Sequence, residues 1–354
     1  MNRRLLSLDV MRGLTVMAMI IVNNGAGGNS FDILCHSVWN GLTPCDLVFP
    51  FFLFMVGVSI TFSLSKQGMS ATPKSKIVSR TLKLFLIGVA LHAFDAMTKG
   101  VWNPLPELRV WGVLQRIALC YFFGCSILIC YGRKQLLTIA LTLLSIYGVM
   151  ILCFKGYEPT TDNIIACLDR AVCGSAHLYK KSPIDPEGLL STLPSIAHTL
   201  IGIYIGFIIQ KKEELSTRLV HIFFIGAALM LAGWLLQFGM PLNKRIWSPS
   251  YTLMTCGMAT TLLSMLTYLI DARERRSWTL MPQMFGQNAF FIYVLSEMFS
   301  SIVRHTGIAD AAYSAIYYIV PLQRTASLIY SILFCSLMAL PAWALWKKKI
   351  FIKI

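Results

Sequence analysis

Charge is scarce in this sequence. Only 13% of its 354 residues are Asp, Glu, Lys or Arg, where a soluble domain carries about 25%. Acids are the rarer sign, with 16 Asp and Glu against 31 Lys and Arg. Together with 56% hydrophobic residues and a mean hydropathy of +0.65, this excludes an ordinary soluble domain. The ten cysteines contain no Cys-x-x-Cys pair and no His/Cys ligand spacing, so neither zinc nor a redox motif is indicated and no metal is expected. No Gly-x-Ser-x-Gly elbow, Walker lysine loop or Rossmann fingerprint occurs in a suitable context. Any cofactor must therefore bind within the helices. Neither a Gly/Ser/Pro linker nor an internal repeat divides the chain, and residues 1–354 read as one membrane-embedded domain.

What the sequence does have is long apolar runs. Reading for about 20 such residues gives ten helices near 8–24, 44–65, 77–97, 110–131, 135–154, 188–210, 218–239, 250–270, 284–302 and 325–346. The expected fold is all-α, a polytopic membrane bundle of about ten transmembrane helices. A net charge of +15 is compatible with a nucleic-acid partner, but its distribution argues against one. With the N-terminus inside, 19 of the 31 Lys and Arg fall on the inner side, Arg3, Arg4 and Lys347 to Lys349 among them. Such alternation places both termini in the cytoplasm. Arg3, Arg4 and "LTVMAMIIV" imitate a signal peptide. Asp9 and Arg12 interrupt that pattern, and an uncleaved first helix is the better reading.

Three outer segments stand out, residues 25–43, about 155–187 and 241–251, because long ordered loops usually carry function or cover it. In the first, "CHSVWNGLTPCD" groups His36, Trp39, Asn40 and Asp46 at the lip of the second helix. A lone histidine is more often structural than catalytic, but this setting singles out His36. Asp46 lies in the first helical turn, where the helix dipole alone favours a carboxylate. Trp39 suits an interfacial belt as well as a substrate platform. Asn23, in "VNNGAGG", could orient a histidine or donate to an oxyanion. It lies eleven residues beyond Arg12, about 16 Å along the helix. Arg12, which shares a helical face with Asp9, and Arg116 both lie within helices, where charge needs a partner or a watery cavity. His92 and His198 read as structural, and His221 and His305 carry no evident signal. Asp185 and Glu187 of "IDPEG" suit either N-terminal helix acids or groups facing the site. Cys35, Cys45, Cys167 and Cys173 fall on the outer side, where a disulfide is open in an oxidising compartment.

Taken together, "SLDVMRG", "VNNGAGG", "HSVWNGLTPCDLVFPFFLFMVG", "RVWGVLQRI", "HLY" followed by "DPEG", "WSPSY" and "KKKIFIKI" resemble, in this order, the heparan-α-glucosaminide N-acetyltransferases and their bacterial relatives. The resemblance spans essentially the whole chain. It implies acetylation of a glucosamine amine at the outer or lumenal side, with acetyl-CoA from the cytosol and a homodimer as the assembly. The family's essential histidine matches His36, its helix-one asparagine Asn23 and its motif aspartate Asp46. Relative to the animal enzymes, the resemblance implies that an extra N-terminal lumenal region and first helix are missing. A bacterial inner membrane with a periplasmic site then fits better than a lysosome.

The chemistry expected from these residues is proton removal from an ammonium, for which imidazole is the natural acceptor. His36 is the expected general base, with Asn23 orienting it or binding the oxyanion, and Asp46 or Glu187 holding the substrate ammonium. A covalent acetyl-histidine is the alternative. Trp39, Asn40, Asp185 and Glu187 form the expected acceptor site. Arg12, Arg116, Lys244 and Arg245 are candidate ligands for phosphates or substrate, and Trp247, Ser248 and Tyr251 border the same cavity. Two rival readings remain open, an O-acetyltransferase of cell-wall or periplasmic glycans and an amino-sugar transporter. The repeats and paired broken helices of many transporters are not evident.

Overall fold

The computed structural model describes residues 5–67, 74–180 and 182–352, with α-helix as its dominant element. Arg3, Arg4, Lys181 and Lys353, which entered the charge count, lie outside the described residues. The helices are α1 (Leu6–Asn23), α2 (Val48–Gln67), α3 (Lys74–Thr98), α4 (Val113–Tyr131), α5 (Leu136–Cys153), α6 (Ile164–Cys173), α7 (Thr192–Ile209), α8 (Leu215–Leu236), α9 (Pro249–Thr267), α10 (Leu280–Gln287), α11 (Ala289–His305), α12 (Ile308–Ile319) and α13 (Gln323–Lys347). Among the described residues nine segments are long and apolar enough to cross a membrane. The chain is a multi-pass membrane protein.

The apolar runs became helices because a segment in lipid must satisfy its backbone polar groups internally. Helix α7 is apolar on all sides and lies at the centre, against α2, α4, α5, α8 and α9, as an all-round hydrophobic helix should. Its hydroxyls return to its own carbonyls, Ser195 Oγ to Ser191 O at 3.0 Å and Thr199 Oγ1 to Ser195 O at 3.2 Å. Close approach of α2 and α7 depends on two glycines. A Cβ on Gly57 would stand 2.2 Å from Thr199 O, and one on Gly202 would stand 2.4 Å from Phe54 O. Small residues at such contacts let backbones pack directly in membranes.

The helix expected over 284–302 is two helices. Asn288 leaves the helical region at φ −123° and ψ 35°, and its side chain holds the C-terminal segment, donating to Ile350 O at 3.0 Å and accepting from Ile352 N at 2.9 Å. Two short helices, α6 and α12, occupy stretches read as loops. With 10 and 12 residues they are too short to span a bilayer. The ends of α1, α3 and α4 that carry Asn23, Asp95 and Val113, with the stretch of α11 from Tyr293 to Arg304, surround one cavity, which the connections around His36, Arg109, Glu187 and Lys244 cover.

Candidate functional site

The lip of α2 begins with a 3-10 turn, Pro44–Leu47, closed by a capping box between Thr43 and Asp46. Thr43 N donates to Asp46 Oδ2 at 3.2 Å, and Ser37 N donates to the same oxygen at 3.2 Å. The carboxylate is thereby fixed with no solvent exposure. Its other oxygen, Oδ1, lies 2.8 Å from His36 Nδ1. This pairing assigns the ring proton to Nδ1 and leaves the Nε2 lone pair to act as a base. The His36 side chain is 50% exposed, so a group in the cavity can reach it. Lys244 Nζ lies 3.0 Å from His36 Nδ1, 3.4 Å from Nε2 and 3.5 Å from Asp46 Oδ1. The buried Cys45 thiol sits under the ring, 3.1 Å from Nδ1. All ten cysteines are free, so the pairing left open for Cys35, Cys45, Cys167 and Cys173 is not formed.

Lys244 reaches the histidine because its turn is tied to the His36 loop. Asn243 Nδ2 donates to Asn40 Oδ1 at 3.1 Å, and Gly41 N donates to Leu242 O at 2.7 Å. Ser248 Oγ caps the following helix by accepting from Tyr251 N, and it also accepts from Asn243 N. Trp247, at φ 54°, is held in this left-handed conformation by rings on several sides, Phe49 at 5.2 Å and Tyr251 at 5.3 Å between centroids. Tyr251 Oη donates to Asp46 O at 2.6 Å. Aromatic packing thus supports the dyad from below.

A cavity of about 480 Å³ opens beside His36, within the range of small-molecule sites. Lys244, Arg245, Arg109 and Arg304 bring positive charge to its wall. Arg109 is clamped. Its Nε donates to Asp185 Oδ2 at 3.1 Å, its Nη2 to Asp185 Oδ1 at 2.5 Å and to Glu187 Oε2 at 2.6 Å, and its guanidinium covers the Tyr179 ring at 4.7 Å. Burial alone would push the Glu187 carboxyl up, but the Arg109 charge prevails and holds it below the usual carboxylate range. Arg245, in contrast, has no carboxylate partner among the described residues and faces the cavity. The arrangement offers a base backed by a carboxylate, with cations placed for an anionic or carbonyl-bearing ligand.

The family model described as heparan-alpha-glucosaminide N-acetyltransferase, catalytic, matches residues 4–236. That is well over half of the sequence. The chain belongs to this family. Curated relatives of the same name agree with it. The Mus musculus heparan-alpha-glucosaminide N-acetyltransferase is 28% identical over 99% of this chain and 60% of its own length. The Homo sapiens protein is 26% identical over the same shares. The chain thus spans about 60% of the length of the curated relatives it matches.

Within this N-acetyltransferase family match lie His36, Asn23, Asp46 and the Arg109 clamp, whereas Lys244, Arg245, Glu297 and Arg304 close the cavity from beyond residue 236. Of the residues expected from sequence, His36, Asn23, Asp46, Glu187, Lys244 and Arg245 line the cavity. Several make contacts other than those expected. Asn23 does not bond His36; its amide donates to Glu297 Oε1 at 3.3 Å, and the orienting partner of His36 is Asp46. Trp39 is not at the cavity but donates from Nε1 to Tyr157 O at 2.8 Å, and Asn40 ties loops together. Asp185 lies behind Glu187, consumed by Arg109 and by Tyr179 N at 3.0 Å. Neither acid begins a helix, since α7 starts at Thr192.

The two intramembrane arginines are also away from the cavity. Arg12 bonds Asp9 Oδ1 at 3.2 Å and Ser59 Oγ near the other end of α1. Arg116 was expected to need an anionic partner. Instead, fully buried, it donates to Gly188 O at 3.0 Å and to Ser191 Oγ and lies over Trp247, 5.2 Å from the ring centroid. An indole face and two oxygen acceptors meet one side of the guanidinium, its Nε and Nη1 have no hydrogen bond among the described residues, and the charges of Glu187 and Asp185 act on it without contact. Trp247, Ser248 and Tyr251 support the floor without lining the cavity. His198 is buried against Trp247, at 5.9 Å. His92, read as structural, bonds Arg109 O at 2.8 Å yet also lines the cavity. Sequence reasoning missed Arg109, Gln115, Glu297 and Arg304. Arg109 and Arg304 appeared only as outer-side charges; an ionisable residue inside an apolar run was the available signal for Glu297.

Proposed function

We propose that the chain is a transmembrane N-acetyltransferase that moves acetyl from acetyl-CoA to the amine of a glucosamine-type sugar, with His36 as general base. The observation that carries this reading is the half-exposed His36 ring fixed at Nδ1 by a fully buried Asp46, beside a cavity with basic walls. Family membership supports the reaction class. The sign of the flanking charges supports a topology in which this end faces the periplasm and both termini face the cytoplasm of a bacterial inner membrane. Residues 1–354 then act as one membrane-embedded unit.

An amino sugar arrives largely as an ammonium and must lose one proton before its nitrogen can attack. Attack forms the N–C bond at the acetyl carbonyl and yields a tetrahedral adduct whose nitrogen is still protonated. His36 Nε2 takes that proton, and Asp46 stabilises the imidazolium. As the C–S bond breaks, the imidazolium returns the proton to the departing CoA sulfur, so the net reaction releases the single proton that the ammonium first lost. Lys244, near the histidine, suits the developing oxyanion. Arg245 and Arg304 suit the phosphates and carbonyls of the co-substrate, Arg245 because no carboxylate neutralises it.

The test is transfer by purified protein in detergent, with acetyl-labelled acetyl-CoA and glucosamine or glucose as acceptor. Label on the glucosamine nitrogen is the expected result. Label on hydroxyls only, or glucosamine uptake by proteoliposomes without any transfer, overturns the reading.

A further inference from the structure

Four carboxylates line the cavity, Asp46, Asp95, Glu187 and Glu297. An acceptor that arrives as an ammonium needs a carboxylate whose charge is not already matched, because a charge-assisted hydrogen bond is strongest where no other cation competes. Three of the four are matched. Asp46 holds His36 and two backbone N–H groups, with Lys244 at 3.5 Å. Asp95 is bonded by the Lys99 ammonium and by Ser301 Oγ at 2.8 Å. Glu187 is ion-paired with Arg109 at 2.6 Å.

Glu297 differs. Its only side-chain hydrogen-bond partner among the described residues is the neutral amide of Asn23, at 3.3 Å. Arg304, two turns further along α11, is turned instead to Asn23 O at 3.5 Å and Ser300 Oγ at 3.1 Å. Glu297 therefore presents to the cavity a carboxylate that an amide steadies and that no cation contacts in an ion pair among the described residues, the charge of Arg304 reaching it only from beyond that range.

We propose that Glu297 binds the acceptor's ammonium and makes the site select amines over hydroxyls, with Asn23 as its positioning residue. This rests on the acetyl-transfer reading above and replaces Asp46 and Glu187, the expected ammonium ligands, because both are already consumed. A neutral hydroxylated sugar leaves the Glu297 charge unmatched in the same position, and sites reject analogues that leave a buried polar group unpaired. Asn23 acts through the orientation of Glu297, which explains why helix α1 ends in an amide at this wall of the cavity.

Binding and transfer are measured separately on the full chain in detergent. Glucosamine should raise the melting temperature of the wild type, and glucose should not. Glu297→Gln should lose that shift while acetyl-CoA still stabilises it, and its KM for glucosamine should rise about tenfold or more, narrowing the preference for glucosamine over glucose. Glu297→Asp, which keeps the charge, should recover part of the binding and serves as the second variant should the glutamine form fail to fold. Equal stabilisation of the wild type and Glu297→Gln by glucosamine overturns the proposal, as does no stabilisation of the wild type. Absence of transfer by a wild type that still binds glucosamine through Glu297 contradicts the acetyltransferase reading alone.

Discussion

His36 has no helix to hold it, so its orientation depends on a carboxylate that is itself held by Thr43 N and Ser37 N. That dependence gives a residue-scale prediction. Asp46→Asn keeps the volume but removes the charge that fixes the Nδ1–H tautomer and steadies the imidazolium, so kcat for transfer should fall by about 100-fold or more. The KM for acetyl-CoA should change little, since Asp46 is buried beneath the ring; a kcat within a few-fold of wild type would contradict the role given to Asp46. The dyad was legible in the sequence because polar residues gathered just before an apolar run have few reasons to be there. Glu297 was harder to place. Nothing local to "FIYVLSEMFSSIVRH" tells which face of α11 turns towards α1, and only the tertiary arrangement brings Asn23 to it. The arginines misled for the opposite reason: Arg116 touches an indole face and oxygen acceptors instead of a contacting carboxylate, an arrangement that hydropathy does not reveal.

Among the elements, long apolar helices were readable by length, whereas α6 and α12 were not, since 10 and 12 residues vanish in a window of about 20. The break at Asn288 is equally silent, because its cause is a side-chain clamp on a segment 62 residues away. Helix α6 brings a testable consequence. Asp169 lies on it, fully buried, accepting from Leu189 N at 2.7 Å. Burial, reinforced by the charge of Asp185, pushes its carboxyl from 3.8 up to about 6. The folded state therefore favours the protonated form. Its stabilising contribution is complete below the unfolded value and is lost as pH rises through about 6. Asp169→Asn stays neutral throughout, so its melting temperature should gain on that of the wild type between about pH 4 and pH 7. Tryptophan fluorescence in detergent would follow this, and a difference independent of pH would contradict it.

For the whole molecule, the proposed orientation puts the exposed Cys35 of the His36 loop outside and the exposed Lys212, between α7 and α8, inside. In a background with the other cysteines changed to serine, a membrane-impermeant maleimide should label Cys35 in intact cells. With Cys35 also replaced, a Lys212→Cys variant should label only after permeabilisation; the reverse pattern would invert the topology. The bundle itself followed from composition, since scarce charge and long apolar runs leave little but membrane helices. The cavity did not follow, because it is built from parts of four helices and four connections far apart in sequence. The central claim is that one imidazole at this cavity does the proton transfer of an acetyl transfer. The most direct measurement is the rate of label transfer from acetyl-CoA to glucosamine by folded His36→Ala beside the wild type. A fall of about 100-fold or more is predicted, and a rate within a few-fold of wild type would contradict the account.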